Sequence, residues 1–228
     1  MTDPVLQTQW AVCGIAAATA RFVPVPLLDD VVRRQAARVA VVRTVRAHGH
    51  DHPPDLLEAL WEERDPARRG ARGSLRGLPR RLLLFPVRRY TAVFGAVRGV
   101  PDDVARVVLL ARAVDRRLER GGLRVPGRVP EEATALRRAV DEALAGMDLR
   151  LLTAALADGL SRGRGLTSAA VALVRSRFTG DGTDDDVPAD GAVADGAAEV
   201  TAVLRRPEIG LLLERFDAQV DGLLASRG

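Results

Sequence analysis

The sequence predicts an all-α protein, built as a single multi-helix bundle. Ala, Leu, Arg and Glu dominate its periodic stretches, aromatic residues make up 4% of the chain, and period-2 alternation does not persist. The hydrophobic fraction of 47% is ordinary for a globular protein, although 28% of the residues are charged. With 228 residues, the chain is long enough for one helical domain with a buried core.

Apolar periodicity, with Pro and Gly at most of the breaks, predicts the individual helices. They are expected near residues 5–21, 27–47, 55–64, 80–98, 102–120, 131–146, 148–160, 166–178 and 199–225. Strand signals are nearly missing, so we expect no β-sheet.

Two amphipathic stripes mark the helix faces that should contact the core. The first consists of Val104, Val107, Ala111, Val114 and Leu118. The second follows Pro207, a residue suited to a first helical turn, and consists of Ile209, Leu213, Phe216, Val220 and Leu223. Residues spaced three and four apart share one face of a helix, so Arg112, Arg116 and Glu119 should point away from the core. We expect the C-terminal helix to dock on the domain.

Residues 179–196 interrupt this pattern with a stretch rich in Asp, Gly and Ala, which contains no aliphatic residue larger than valine. Such a composition predicts a disordered acidic linker. The expected organisation is a helical domain over residues 1–178, a linker over 179–198 and a docked C-terminal helix over 199–228.

The composition makes several classes of protein improbable. All 34 basic residues are Arg, so a P-loop lysine and a Schiff-base lysine are both missing. Cys13 is the single cysteine and cannot form an intramolecular disulfide. The N-terminal residues lack the basic segment of a secretory signal, and the longest apolar stretch, residues 10–20, has about half the ~20 residues of a membrane span. We therefore expect a cytoplasmic protein without a transmembrane helix.

Paired aspartates occur twice, each time soon after a Val-Pro sequence, in residues 25–31 and 100–104. The pairs are Asp29 with Asp30, and Asp102 with Asp103. They resemble the metal-binding helices of isoprenoid synthases, but Arg33 and Arg106 stand near the position of the next acid and would repel a metal. We interpret the aspartates as first-turn carboxylates that complement the helix dipole. The similarity of the two segments is compatible with a duplicated unit or with chance.

All three histidines lie in one short segment, as His48, His50 and His52. The segment is one residue short of the HxHxDH metal motif, and a closed zinc site needs about four ligands. We expect Gly49 to cap the preceding helix, while loose adventitious binding of Zn²⁺ or Ni²⁺ remains an alternative. Cys13 is expected to be a core residue. We assign no catalytic, cofactor-binding or metal-binding residue, and expect no cofactor.

The arginines are distributed unevenly along the chain. Residues 66–101 contain no acidic residue and nine arginines, whereas the other 25 arginines face all 30 acids, so the formal net charge of +4 is concentrated in this segment. Eight of the nine form the predicted anionic-surface contact, together with the apolar residues among them up to residue 94: Arg68, Arg69, Arg72, Arg76, Arg80, Arg81, Arg88 and Arg89.

Three interpretations of this basic segment compete. Its arginines could contact anionic lipid head groups while Leu82 and Phe85 enter the membrane interface. They could instead neutralise nucleic-acid phosphates, or residues 82–94 could form a core helix whose arginines pair with acids elsewhere. The lipid interpretation outranks nucleic acid because the segment has no aromatic stacking platform and no helix-turn-helix or zinc-finger pattern.

Residues 22–30, followed by an Arg-rich helix ending at His48 and Gly49, resemble a segment of uncharacterised bacterial helical proteins. They are also similar to the helical domain of unknown function attached to some bacterial membrane-associated GTPases. The resemblance covers about the first half of the chain, up to Leu118, and implies a helical, membrane-proximal accessory protein. It transfers no functional residues.

The sequence thus favours a non-enzymatic binding or adaptor protein, peripheral at an anionic membrane surface or bound to a partner protein. One alternative is a nucleic-acid-binding accessory protein that uses the same segment. Another is an enzyme with an apolar pocket and aspartate acids, which requires the paired aspartates to converge in a concave site.

Overall fold

The computed structural model describes residues 3–22, 28–62, 94–163, 165–178 and 191–226. These ranges contain helices and turns and no strand, which confirms the predicted all-α class. The α-helices are α1 (Pro4–Thr19), α2 (Leu28–Ala47), α3 (Pro54–Leu57), α4 (Val100–Glu119), α5 (Val129–Gly146), α6 (Arg150–Ser161), α7 (Leu166–Phe178), α8 (Ala192–Leu204) and α9 (Pro207–Ala225). Short 3₁₀ turns cover Ala20–Phe22, Glu58–Leu60 and Phe94–Ala96.

Helix α1 is the central element of the bundle. Every one of its residues from Trp10 to Thr19 is buried, so the helix is covered on all sides. Helices α2, α4, α7 and α8 pack around it. The indole Nε1 of Trp10 donates a hydrogen bond of 2.8 Å to Thr44 Oγ1 of α2, which satisfies the one polar atom of this buried side chain.

The first predicted stripe lies on α4, and all five of its residues are buried. Val108, Leu109 and Leu110 are buried as well, so α4 contacts neighbours over a wider arc than the stripe indicated. Arg112, expected to point away from the core, is covered by α9 and forms bonds of 3.0 and 2.7 Å to the two oxygens of Asp217. This side of α4 is an interface between helices.

The C-terminal stripe faces the core as predicted, with four of its five residues buried and Leu223 half-buried. Ile209, Leu213, Phe216 and Val220 are buried, and α9 begins at Pro207 and packs mainly on α5. The single helix expected over residues 199–225 is two helices, because α8 ends at Leu204 and α9 starts after a two-residue break.

The predicted linker is wrong over its last part. Residues 192–198 belong to α8, which buries Val193, Ala197 and Val200 and packs on α1 and α6. The small residues of α8 allow it to approach α1 closely, since a Cβ on Gly196 would lie 3.2 Å from Ile15 Cδ1. Asp195 is exposed, so its charge does not oppose this packing. Residues 179–190 of the predicted linker lie outside the described residues.

Two other helices differ from the prediction. The helix expected at residues 55–64 is α3 followed by the 3₁₀ turn Glu58–Leu60. Of the helix expected at residues 80–98, only residues 94–98 are described, and they form the 3₁₀ turn Phe94–Ala96 and the turn that precedes α4. The Phe94 ring stacks on Phe22 with the ring centroids 5.2 Å apart. None of the helices in the described ranges has the length and apolar composition needed to cross a membrane.

Replacement of Phe216 by Ala should lower the free energy of unfolding by about 3–5 kcal/mol, because its fully buried ring holds α9 on the bundle. Urea unfolding followed by circular dichroism measures this change. The control is Leu211→Ala on the same helix, where the side chain is 61% exposed and the expected change is within about 0.5 kcal/mol. Similar losses for the two variants would contradict the docking of α9.

Candidate functional site

The two paired-aspartate segments meet where α2 and α4 pack against each other and against α1. As predicted, all four aspartates lie in first helical turns. The expectation that they only complement helix dipoles is too simple for Asp103, which is 8% exposed and bound by side chains from other elements. Asp102, its neighbour, is exposed.

Arg21 and Asp103 form a bidentate ion pair between the end of α1 and the start of α4. Arg21 Nε lies 2.5 Å from Asp103 Oδ2, and Arg21 Nη2 lies 3.1 Å from Oδ1. The hydrogen bond to this carboxylate raises the pKa of Arg21 above its ordinary value. The pair holds together two segments that are 82 residues apart in the sequence.

Gly99 makes room for this ion pair. It precedes α4 with a φ of +87°, in the left-handed region that favours glycine. A Cβ at this position would lie 2.4 Å from Cζ of Arg21, inside the contact distance of the guanidinium. A side chain at residue 99 would therefore strain the backbone and displace Arg21.

A cavity of about 150 Å³, partly open to solvent, lies beside the ion pair. Its apolar wall comes from α1, α2, α4 and the residue after the second 3₁₀ turn, through Ala17, Ala37, Val107, Leu110 and Trp61. Six charged residues complete the lining: Asp30, Arg33, Arg34, Asp103, Arg106 and Arg137. Four arginines and two aspartates therefore line one concave space.

The four arginines of the cavity differ in whether protein groups already bind their guanidinium N–H groups. Arg137 donates from Nε to Asp141 at 3.0 Å and from Nη1 to the Leu60 carbonyl at 2.6 Å. By contrast, Arg34 and Arg106 form no salt bridge with a carboxylate of the described residues. Two cations at the cavity are thus available to a ligand.

Arg33 is intermediate between these cases. Its Nη2 lies 3.7 Å from Asp103 Oδ2 and 3.9 Å from Asp29 Oδ2, distances at which the attraction is electrostatic rather than a hydrogen bond. Its Nε is the one buried side-chain nitrogen or oxygen without a hydrogen-bond partner among the described residues. A buried unsatisfied donor costs about 1–3 kcal/mol, so this atom favours an additional acceptor.

Corresponding positions of the two similar segments line the same cavity. Both segments contain the pattern Asp-Asp-Val-x-Arg, and the second aspartate and the arginine of each, Asp30 with Arg33 and Asp103 with Arg106, face this space. The repeated pattern was therefore the sequence signal for the site. In the sequence, Arg33 and Arg106 only argue against a metal, and no pattern marks Arg34, Trp61 or Arg137 as part of a site.

The histidine segment makes contacts that stabilise the fold. His48 Nε2 lies 2.8 Å from the buried Asp115 carboxylate, and His52 Nε2 donates to the Leu123 carbonyl at 2.7 Å. The rings of His50 and His52 stack with centroids 5.7 Å apart, and burial together with the neighbouring His52 lowers the pKa of His50. Gly49 ends the preceding helix at a φ of +76°, as predicted. Within the described ranges, no three His, Cys, Asp or Glu side chains are placed to hold a metal ion.

Cys13 is buried in α1, as expected for a core residue. Burial raises its pKa to about 12, so the thiol does not ionise near neutral pH. The eight arginines predicted to contact an anionic surface, residues 68–89, lie outside the described residues.

Comparisons with protein-family models, curated proteins and solved structures found no match for this chain. The resemblance to bacterial helical proteins stays a prediction.

Substitution of Asp103 by Asn should lower the free energy of unfolding by about 2–4 kcal/mol, because it removes the charge that binds Arg21 at a largely buried position. The matched control is Asp102→Asn, one residue earlier and exposed, which should cost less than about 1 kcal/mol through the helix dipole. Chemical denaturation at low and moderate salt measures both variants. Equal losses would show that the ion pair does not hold α1 and α4 together.

Proposed function

We propose that the protein is a non-enzymatic binding protein for anionic partners, and that it acts as a peripheral adaptor at an anionic membrane surface. The observation that carries this proposal is the concentration of positive charge in one segment of the sequence. Residues 66–101 contain nine arginines and no acidic residue, whereas the rest of the chain contains 25 arginines and 30 acids.

Three acids of the described residues form ion pairs with arginines. Asp103 binds Arg21, Asp217 binds Arg112 and Glu132 binds Arg117, with the last pair 3.0 Å apart. These three carboxylates are engaged by arginines of the described residues, and we propose that the arginines of residues 66–93 bind an external anion.

An anionic membrane is the partner that this segment suits best. A cation near a charged leaflet contributes about 1 kcal/mol, so eight arginines supply a substantial electrostatic attraction. Leu82, Leu83, Leu84 and Phe85 follow two of these arginines directly and add apolar area that can enter the interface. Both contributions come from one short stretch of chain.

The enzyme alternative has one specific observation in its favour, because Asp30 and Asp103 line the same cavity. Both oxygens of Asp103 are bound by Arg21, however, and arginines outnumber carboxylates two to one around the cavity. An excess of fixed cations suits the binding of an anion better than proton transfer by a carboxylic acid. We therefore give binding precedence over catalysis.

Flotation of purified, nuclease-treated protein with vesicles tests this proposal. The protein should float with phosphatidylglycerol-containing vesicles at low salt, float less at high salt, and not float with pure phosphatidylcholine. The variant with Arg80, Arg81, Arg88 and Arg89 changed to Gln should lose about 4 kcal/mol of attraction and remain in solution.

The control variant changes Arg138, Arg150, Arg205 and Arg215 to Gln. It removes the same charge from exposed positions of the described helices, and it should float like the wild type. Failure of the wild type to float, or equal losses for both variants, would overturn the membrane proposal. Salt-dependent binding to nucleic acid by the flotation-negative protein would instead support the nucleic-acid alternative.

A further inference from the structure

We propose that the cavity between α1, α2 and α4 binds a phosphate group, and that Arg33, Arg34 and Arg106 are its ligands. This site is separate in sequence from residues 68–94 and does not depend on the membrane proposal. The inference rests on the charge, the hydrogen-bond donors and the size of the cavity.

The charge of the lining favours an anion. Arg21 neutralises Asp103 from outside the cavity, so Asp30 is the remaining carboxylate in the lining and faces Arg33, Arg34 and Arg106. Arg137 adds a fourth guanidinium, although Asp141 and the Leu60 carbonyl already occupy two of its nitrogens. The surplus positive charge is partly shielded from water by Trp61, Val107 and Leu110, which strengthens its attraction for an anion.

The donors favour phosphate over a carboxylate. Each guanidinium carries five N–H groups in a planar fork, and three arginines from two different helices line one space. A carboxylate has two acceptor oxygens, which a single bidentate arginine satisfies. A phosphate monoester has three free oxygens and a charge of about −1.5 to −2, so it can engage two or three arginines at once.

The volume sets an upper limit on the ligand. A cavity of about 150 Å³ holds a molecule about as large as benzene, and drug-sized ligands occupy pockets of about 300–1,000 Å³. Inorganic phosphate or the phosphate of a small ester fits this space. A nucleotide would have to leave most of its surface outside the cavity, in solvent.

Trp61 provides a direct signal of binding, because it is one of two tryptophans in the chain and lines the cavity. The other, Trp10, is buried in α1 and bonded to Thr44. Titration with inorganic phosphate, at constant ionic strength maintained with chloride, should change the fluorescence saturably. Trp61→Phe should lose this change, which would assign the fluorescence signal to the cavity rather than to Trp10.

The double variant Arg34→Gln, Arg106→Gln should raise the dissociation constant for phosphate at least tenfold and retain the wild-type unfolding midpoint, since neither arginine has a salt bridge with a described carboxylate. Arg106→Gln alone, at an exposed position, should raise it by a smaller factor. The control is Arg38→Gln with Arg138→Gln, which removes the same charge from α2 and α5 away from the cavity lining. Absence of saturable binding, or equal affinity of the double variant and the control, would overturn the proposal.

Vesicles distinguish the two possible sources of the phosphate group. If Arg34→Gln, Arg106→Gln weakens flotation with phosphatidic acid more than flotation with phosphatidylglycerol, the site takes a lipid phosphomonoester. If the same variant floats normally and loses only inorganic phosphate, the ligand is soluble. In both cases the variant of residues 80–89 should bind phosphate like the wild type, so failure of the membrane proposal and failure of this site are separate results.

Discussion

The burial of α1 is the constraint on which the rest of the structure depends. Its sequence is apolar on all sides from Trp10 onward, so no orientation of the helix leaves a face suited to water. Four other helices surround α1 and cover its apolar surface, and small residues on α1 let these helices approach closely. A Cβ on Gly14, for example, would lie 3.1 Å from Val104 of α4. The central position of α1 also removes the cost of an exposed apolar surface.

The same helix determines where the candidate site lies. The chain leaves α1 through a 3₁₀ turn that carries Arg21 to the first turn of α4, where Asp103 binds it. With Arg21 occupied by this carboxylate, Arg33, Arg34 and Arg106 remain as the positive lining of the cavity. Fold stability and ligand binding thus use different arginines, which is why the two can be tested by different substitutions.

Periodicity was sufficient to predict the class of fold and the faces of α4 and α9, because both helices bury a regular stripe and α9 begins at Pro207. It failed for α8, whose Ala, Gly and Val composition resembles that of a linker and whose helix depends on packing against α1 and α6. It also failed for the cavity. Arg33 and Arg106 occupy the same position of the repeated Asp-Asp-Val-x-Arg pattern, but they line one space because α2 and α4 pack together, and the pattern does not specify that packing.

The most direct measurement of the central claim, that an arginine-lined cavity at the end of α1 binds a phosphate group, is a crystal structure with tungstate as an electron-dense phosphate analogue. We expect an anomalous peak inside the cavity, within hydrogen-bond reach of Arg34 and Arg106. A peak confined to other arginines of the surface, with none in the cavity, would contradict the account.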